Sequence, residues 1–356
     1  TGLGQSILTV RLKEARSLSV FLGADNFSPP SIGSERLGAI VSYRNVSELG
    51  DELSASYYRT AQGGLNSFDF NYRIPINTLN GTIQLRIAPS QGEIIDPQFA
   101  AFGIRSETDL YEISYRQPLI RTPREEFAVS LGFAIQNGQS FLFQSTPFPF
   151  GIGADAEGNS RTRILKFGQD YIRRDPQGAW ALRSQFSFGL NLFSATRNDS
   201  PTPDGRFFGW LGQIQRIHRF GDDHLLIVQA DLQLTPDSLL PSQQFVIGGG
   251  SSIRGFRQNA RSGDNGFRFS IEDRIAIQRN ASGAPVLQFV PFVDVGTVWN
   301  RVDNPNRLPD QRSLASGGIG IILEPIPRFI LRVDYAIPFL RLRDRSNNAQ
   351  DQGFSF

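Results

Sequence analysis

The residues with the clearest potential for chemistry lie in Gly248–Phe256, where three consecutive glycines precede Ile253, Arg254, Gly255 and Phe256. Glycine adopts backbone conformations that other residues avoid, so this stretch is predicted to be a loop rather than a strand. An arginine between apolar residues has two interpretations. Either it lies on a flexible surface loop, or its planar guanidinium is buried and then requires carboxylate partners elsewhere in the chain.

Other candidate sites are weaker. The two histidines, His218 and His224, flank a predicted short turn at Gly221–Asp223, whose acidic residues are typical of turns as well as of metal sites. The stretch Asp264-Asn265-Gly266 also predicts a turn. The sequence shows no phosphate-binding loop, metal-ligand cluster or nucleophile triad, so we expect neither a cofactor nor an enzymatic activity.

Composition restricts the class of protein. The 356 residues carry a net charge of +2 and no block of like charge, which argues against a nucleic-acid partner. There is no cysteine, so neither disulfides nor cysteine-based metal sites can form, and the absence of methionine indicates a mature chain or a fragment. No run of about 18 apolar residues occurs, so no transmembrane helix is predicted. Abundant Phe (29) and Gly (35) favour short strands instead.

Apolar and polar residues alternate along many segments, for example Phe127–Ile135 and Phe267–Ile277. The connections between them alternate as well. Short turns are predicted at 47–50, 77–80, 121–125, 175–178, 221–223 and 324–327, and long polar segments at 88–108, 137–161, 193–206, 235–266 and 340–352. Short turns on one rim and long loops on the other are typical of outer-membrane barrels. The sequence therefore predicts an all-β fold, a transmembrane antiparallel β-barrel of about 16 strands over residues 17–356.

Two motifs resemble those of a known family. The segment FVIGGGSSIRGFRQNARSGDNG is similar to the sixth-loop signature of the outer-membrane assembly and two-partner secretion transporter superfamily, and Phe292-Val293-Asp294-Val295-Gly296 is similar to its second barrel motif. Phe329–Phe339 resembles its penultimate strand. The turn Asn45–Leu53 is most similar to that of haemolysin secretion/activation transporters, although one glycine is missing. Residues 1–16 resemble the tail of a periplasmic POTRA domain, and the POTRA domains themselves are absent from this chain.

The resemblance implies a barrel in the outer membrane of a Gram-negative bacterium, or of an organelle, with loop six folded into the lumen. The expected function is secretion of a client polypeptide through or along the barrel. The expected partners are that client, outer-membrane lipid and POTRA domains upstream. An assembly factor that inserts other barrels is the alternative, and a passive porin is a third. Gly353–Phe356 is short for a last strand, against about 9–11 residues needed to cross the bilayer.

If loop six enters the lumen, strand alternation indicates where Arg254 binds. With Val293 and Val295 facing lipid, Phe292, Asp294 and Gly296 face inward, and the same parity turns Glu272 inward. We therefore predict that Arg254 pairs with Asp294 and Glu272, while Gly296 leaves room for the loop backbone. The other possibility is that both acids are ordinary lumen charges, paired with the strand arginines at 268, 274 or 332.

Overall fold

The computed structural model describes residues 16–356, and their regular structure is strand apart from three single turns of 3₁₀ helix at Pro30–Ile32, Ala100–Phe102 and Pro241–Gln243. The predicted POTRA tail at residues 1–16 falls, except for its last residue, outside the described part. Within residues 16–356, no helix is long and apolar enough to cross a membrane. The predicted all-β class is confirmed.

The strands succeed one another in chain order. They are β1 (Leu18–Asp25), β2 (Arg36–Arg44), β3 (Glu52–Thr60), β4 (Leu65–Pro75), β5 (Thr82–Glu93), β6 (Arg105–Arg121), β7 (Glu125–Leu142), β8 (Thr146–Pro147), β9 (Asn159–Asp175), β10 (Gly178–Gly189), β11 (Phe208–Phe220), β12 (His224–Leu234), β13 (Phe245–Ile247), β14 (Arg261–Gly263), β15 (Asn265–Arg279), β16 (Pro285–Trp299), β17 (Ser313–Ile326), β18 (Phe329–Pro338) and β19 (Phe354–Ser355). Without β8 and the separate β13–β14 hairpin, sixteen strands form a nearly closed antiparallel barrel, as predicted.

Each barrel strand pairs with its neighbours in sequence, and side-chain direction alternates along it. On β16, Val293 and Val295 are exposed on the outer surface, whereas Phe292 and Asp294 are buried on the inner side. Outward residues of this kind can meet lipid because the backbone hydrogen bonds are satisfied within the sheet. Alternation in the sequence therefore gives the correct face for these residues.

The two rims differ as expected, with one exception. Turns at 45–51, 76–81, 122–124, 176–177, 221–223, 280–284 and 327–328 form the short-turn rim. The opposite, long-loop rim carries connections at 26–35, 61–64, 94–104, 143–158, 190–207, 235–264, 300–312 and 339–353. The connection at 61–64 is a tight hairpin on the long-loop rim, so loop length alone does not identify a rim. The segment 235–264 is the sixth connection on this rim and is called loop six.

Four barrel strands extend into segments that the sequence assigns to loops. β5 and β6 extend into 88–108, and β7 and β9 extend into 137–161. The longest are β6, β7 and β9, with 17, 18 and 17 residues. A strand of 9–11 residues is enough to cross the bilayer, so these ladders project beyond it. Alternation fades in the projecting parts because no lipid contacts them and neither face has to be apolar, while the backbone ladder continues.

The first and last parts of the barrel meet at Asn26, which directly follows β1. Its side-chain Nδ2 donates to the carbonyl of Phe354 at 3.0 Å, and its backbone N–H donates to the carbonyl of Phe356 at 3.2 Å. Strand β19 itself pairs with β18 at only two positions, Asp334↔Ser355 and Tyr335↔Phe354. In the described residues, the first and last parts of the barrel sheet are therefore joined at Asn26 by side-chain as well as backbone hydrogen bonds.

Asp264, at the end of loop six, joins the beginning of that loop to the connection at 300–312. It is fully buried, and its carboxylate accepts hydrogen bonds from the Leu239 N–H at 3.0 Å and from Asn304 Nδ2 at 2.6 Å. The predicted turn at Asp264-Asn265-Gly266 is wrong, because β14 ends one residue before Asp264 and β15 begins one residue after it. Turn-forming acids bond locally, whereas the donors here come from loop six and from the connection at 300–312.

We expect Asp264→Ala to loosen the long-loop rim. The substitution leaves two buried donors without their acceptor, at a cost of about 1–3 kcal/mol each. The temperature at which the folded barrel loses its compact migration on an SDS gel should fall. Asp222→Ala, which changes an exposed acid in a short turn, is the control and should leave that temperature unchanged. Equal temperatures for both variants would contradict a connecting role for Asp264.

Candidate functional site

Loop six is organised by a small hairpin of its own. Its ascending strand β13 pairs with β14, with Phe245 opposite Gly263 and Ile247 opposite Arg261. Between them the chain turns repeatedly, and Gly248 has a φ of +108° that disfavours any side chain. A Cβ at Gly248 would also lie 2.7 Å from the Cβ of Ala260. The glycines singled out in the sequence thus shape a folded loop whose tip carries Arg254.

The guanidinium of Arg254 is held by carboxylates from two strands. Its Nε and Nη2 donate to the two carboxylate oxygens of Asp294 at 2.7 and 2.8 Å, and its backbone N–H also donates to Asp294 at 3.1 Å. Nη1 donates to Oε2 of Glu272 at 2.9 Å. This bidentate pairing is the geometry that the planar guanidinium favours. The structure brings together the three residues that alternation and the family motifs single out.

Two serines complete the attachment. The hydroxyl of Ser316 on β17 donates to the backbone carbonyl of Arg254 at 2.6 Å, and the hydroxyl of Ser270 on β15 donates to Asp294 at 2.6 Å. Ser316 is fully buried. Backbone and side chain of Arg254 are both fixed, so the position of the loop tip is defined along the strands as well as across them.

A third carboxylate was missed from the sequence. Asp334 on β18 lies 3.6 Å from Nη1 of Arg254, and it also pairs with Arg332 at 3.0 Å. Arg332 in turn donates to Glu272 at 2.9 Å. Asp334 is two residues from Arg332 and hence on the same face of the strand. Because the sequence already indicates that Arg332 can face the lumen, this shared face could have identified Asp334 as a lumen-facing acid.

Glu272 fits both interpretations offered by the sequence. It contacts Arg254, and it also pairs with the strand residues Arg274 and Arg332, whereas Arg268 pairs with Asp231 instead. The cluster contains three arginines, Arg254, Arg274 and Arg332, and three acids, Glu272, Asp294 and Asp334, so its formal charge is zero. We call these six residues the loop-six charge cluster.

Apolar contacts surround the cluster on the side of the long-loop rim. Ile253 and Phe256 are buried together with Phe245, Val298 and Leu314 in one hydrophobic core. Phe292 lies beneath the arginine, with the guanidinium carbon 3.4 Å from its ring centroid, a cation–π contact. The charged contacts are consequently shielded from water, which strengthens them and raises the cost of leaving any of them unpaired.

Gly255 and Gly296 provide space for this packing. Gly255 has a φ of +86°, and a Cβ there would lie 3.0 Å from the Cβ of Ala336. A Cβ at Gly296 would lie 3.2 Å from Cδ1 of Ile253. The space at Gly296 is therefore used by a side chain of loop six, and not by its backbone as predicted from the sequence.

A second ion-pair group joins loop six to the connection at 339–353. Arg257 and Arg261 donate to the two carboxylate oxygens of Asp344 at 2.7 and 2.8 Å. Hydrogen bonding from Arg261, together with the charge of Arg257, holds the pKa of Asp344 well below its usual range. A buried glutamine, Gln350, continues the link. It accepts from the Gln258 N–H at 2.7 Å and donates to the Ser28 carbonyl at 2.8 Å, next to the point where the ring closes.

The histidines lie apart from loop six. Nδ1 of His218 is 2.7 Å from Nη2 of Arg216, and Nδ1 of His224 is 2.7 Å from a carboxylate oxygen of Asp273. Within residues 16–356, no group of three potential ligands is arranged to hold a metal ion. These side chains form local pairs near the short-turn rim.

The fold and loop define the class of protein, an outer-membrane β-barrel with an arginine-bearing sixth loop. Residues 4–323 match the family described as haemolysin secretion/activation protein ShlB/FhaC/HecB, and the chain belongs to this family. A curated relative, the heme/hemopexin transporter protein HuxB of Haemophilus influenzae, is 20% identical over 363 residues, which cover 99% of this chain and 61% of HuxB.

Solved structures show the same fold. CdiB from Escherichia coli has a TM-score of 0.76 at 19% identity, covering 93% of this chain and 60% of CdiB. BamA from Haemophilus ducreyi, in a structure lacking POTRA domains 1–3, has a TM-score of 0.64 at 16% identity, covering 96% of this chain and 70% of BamA. This chain therefore spans about 60% of the length of HuxB and CdiB.

Arg254→Lys should weaken the loop-six charge cluster although the positive charge remains. An ammonium cannot reproduce the bidentate contact to Asp294 and donate to Glu272 at the same time, so Asp294 and Glu272 lose part of their pairing with the loop. Removing one partner of a buried ion pair costs about 3–5 kcal/mol, and the loss is smaller here because lysine keeps the charge. We expect a clear fall in the SDS-gel unfolding temperature. Arg301→Lys, in an exposed pair with Asp303, is the matched control. An unchanged temperature for Arg254→Lys would contradict the energetic importance of the cluster.

The Asp344 contact predicts a pH dependence with a defined sign. Because the pKa of Asp344 is lower in the folded protein, ionisation stabilises the folded loop above the ordinary aspartate pKa of about 3.9, and this contribution is lost as the pH falls towards the folded value. Hydrogen exchange of the peptide 340–352 should be faster in Asp344→Asn than in the unmodified protein at pH 7 and at pH 5, and the difference should shrink below about pH 4. A difference that grew on acidification would contradict this assignment.

Proposed function

We propose that this chain is the barrel of an outer-membrane transporter that secretes a partner polypeptide, in the manner of two-partner secretion. Membership of the haemolysin secretion/activation family supports this, as does the similarity to CdiB. The proposal includes a secreted client, surrounding outer-membrane lipid and periplasmic POTRA domains preceding residue 17. Long loops would then face the outside of the cell, and no catalytic reaction is assigned to the chain.

The observation that carries the mechanism is the contact of Arg254 with Asp294 and Glu272. Both acids lie on inward faces of the barrel wall, and this supports a loop six folded into the lumen and locked there by one arginine. The lumen is thereby divided into a part filled by loop six and a part left open. Passage of a client would depend on where the lock keeps the loop.

The free energy of the Arg254 contact is large enough to set the position of loop six and small compared with the stability of the barrel. A contact worth about 3 kcal/mol changes the ratio of locked to free loop by about a hundredfold. That change is small compared with the stability of a sixteen-stranded ladder. Loop six can therefore respond to the lock while the barrel wall stays folded.

The test is secretion by the full-length gene product in its own host. Proteins released into the medium are compared between cells producing the unmodified barrel, cells without it, and cells producing Arg254→Ala. We expect at least one polypeptide to depend on the barrel, and its release to drop about tenfold or more in Arg254→Ala while the amount of folded barrel in the membrane is maintained. Arg301→Ala should secrete normally.

Three outcomes would contradict the proposal. Normal release by Arg254→Ala would remove the lock from the mechanism. A general loss of other barrels from the outer membrane, without a dependent secreted polypeptide, would favour an assembly factor, the alternative that the BamA likeness supports at the level of fold. Ion conductance that is the same with and without Arg254, together with no dependent polypeptide, would favour a passive porin.

A further inference from the structure

The inner surface of the barrel differs from one side to the other. On the side away from loop six, the ion pairs are partly exposed to water. On the inward faces of β4 to β10, four pairs succeed one another around the wall: Arg86–Asp69, Arg116–Glu126, Lys166–Glu112 and Arg183–Asp170, the first three at 2.6–2.7 Å and the last at 3.9 Å. We call this region the ion-pair wall. Apart from Asp69, its charged residues line a cavity of about 780 Å³, together with Gln84, Ser114 and Ser130.

The cavity is deep next to strand β7, because small side chains there leave space. The inward positions of β7 there are small, Ser130 and Gly132, so the long side chains of neighbouring strands extend across it. Nζ of Lys166 on β9 reaches Oε2 of Glu112 on β6 at 2.6 Å, past Gly132. On the opposite wall, the cavity between the loop-six charge cluster and residues such as Gln229 is about 270 Å³. The larger space lies along the ion-pair wall.

Burial separates the Arg254–Asp294 pair, which holds loop six, from the pairs of the ion-pair wall. The side chains of Arg254 and Asp294 are 5% and 0% exposed, whereas Arg274 and Arg332 at the edge of the same cluster are 32% and 30% exposed. In the ion-pair wall, the side chains are 20–50% exposed. Solvated pairs contribute about 0–1 kcal/mol, whereas breaking a buried pair costs about 3–5 kcal/mol. A passing chain can displace the first kind cheaply but not the second.

We propose that the ion-pair wall is the surface along which the client polypeptide passes, as an extended and largely polar segment. This rests on the proposed secretion function. An extended backbone presents one donor and one acceptor per residue. The half-exposed arginines accept nothing but donate to carbonyls, and the acids and amides accept from N–H groups, so each contact replaces a weak existing one. The four pairs carry no net charge, and Arg73 and Arg121 add positive charge to the same cavity, whose lining offers no large apolar side chain to retain a client.

Cross-linking from two matched positions tests this. These 356 residues contain no cysteine, so in a full-length protein cleared of any cysteine outside them, a single introduced thiol can carry a maleimide–benzophenone label. Gln84→Cys lies in the ion-pair wall, and Gln229→Cys lies on the inward face of β12 beside the cavity under loop six. Both replace an inward-facing glutamine on a barrel strand. The probe is the polypeptide whose release depends on the barrel in the secretion experiment, and irradiation is performed during its release.

We expect a covalent adduct with that polypeptide from position 84, several-fold more abundant than from position 229. Release by both labelled variants is measured first, so that each adduct comes from a working transporter. Equal yields, or a larger yield from position 229, would overturn the ion-pair wall as the path while leaving secretion established. An absence of adduct from position 84 during normal release would overturn it equally. If no polypeptide depends on the barrel, the proposed function fails, and this inference fails with it.

Discussion

The need to neutralise one buried guanidinium organises much of this molecule. Arg254 is almost inaccessible to water, and an isolated ion in such surroundings would be prohibitively costly. Carboxylates must therefore be supplied from β15, β16 and β18, on strands that are not all neighbours, and they must converge within hydrogen-bonding distance. The curvature of the barrel wall lets side chains from these strands point into one volume. The wall and the loop thus define each other's geometry.

The rest of loop six is consistent with that constraint. A loop long enough to reach the cluster would lose considerable conformational entropy if it were held at its tip alone. Instead, the β13–β14 hairpin shortens the free segment, Asp264 fixes its base, and Asp344 holds Arg257 and Arg261 on its outer side. Each attachment uses a different part of the barrel, so the loop position depends on several elements at once. The link through Gln350 extends this dependence to the residues directly after β1.

Period-two alternation predicts the regular part of the structure, and prediction fails where that period is absent. The barrel, its sixteen strands and the inward direction of Asp294 and Glu272 all derive from alternation and from the family motifs. The projecting parts of β6, β7 and β9 do not, because no lipid requires an apolar face there. Parity with Arg332 gives the inward direction of Asp334, but its closeness to Arg254 depends on how strands several positions apart are staggered, which local pattern does not contain. The contacts of Asp264 and Asp344 join irregular loops, where sequence spacing carries no information about distance in space.

The barrel uses the same side-chain types, arginine with aspartate or glutamate, for two different purposes, and burial decides between them. Beneath loop six, apolar residues such as Ile253 and Phe292 exclude water, so the ion pairs become strong and specific in position. Along β4 to β10, small inward residues leave the pairs solvated, so they stay weak and exchangeable. Sequence alone would count both sets as lumen charges. The same charged side chains can therefore hold a loop firmly where they are buried and stay exchangeable where they are solvated, and this division results from packing rather than from charge.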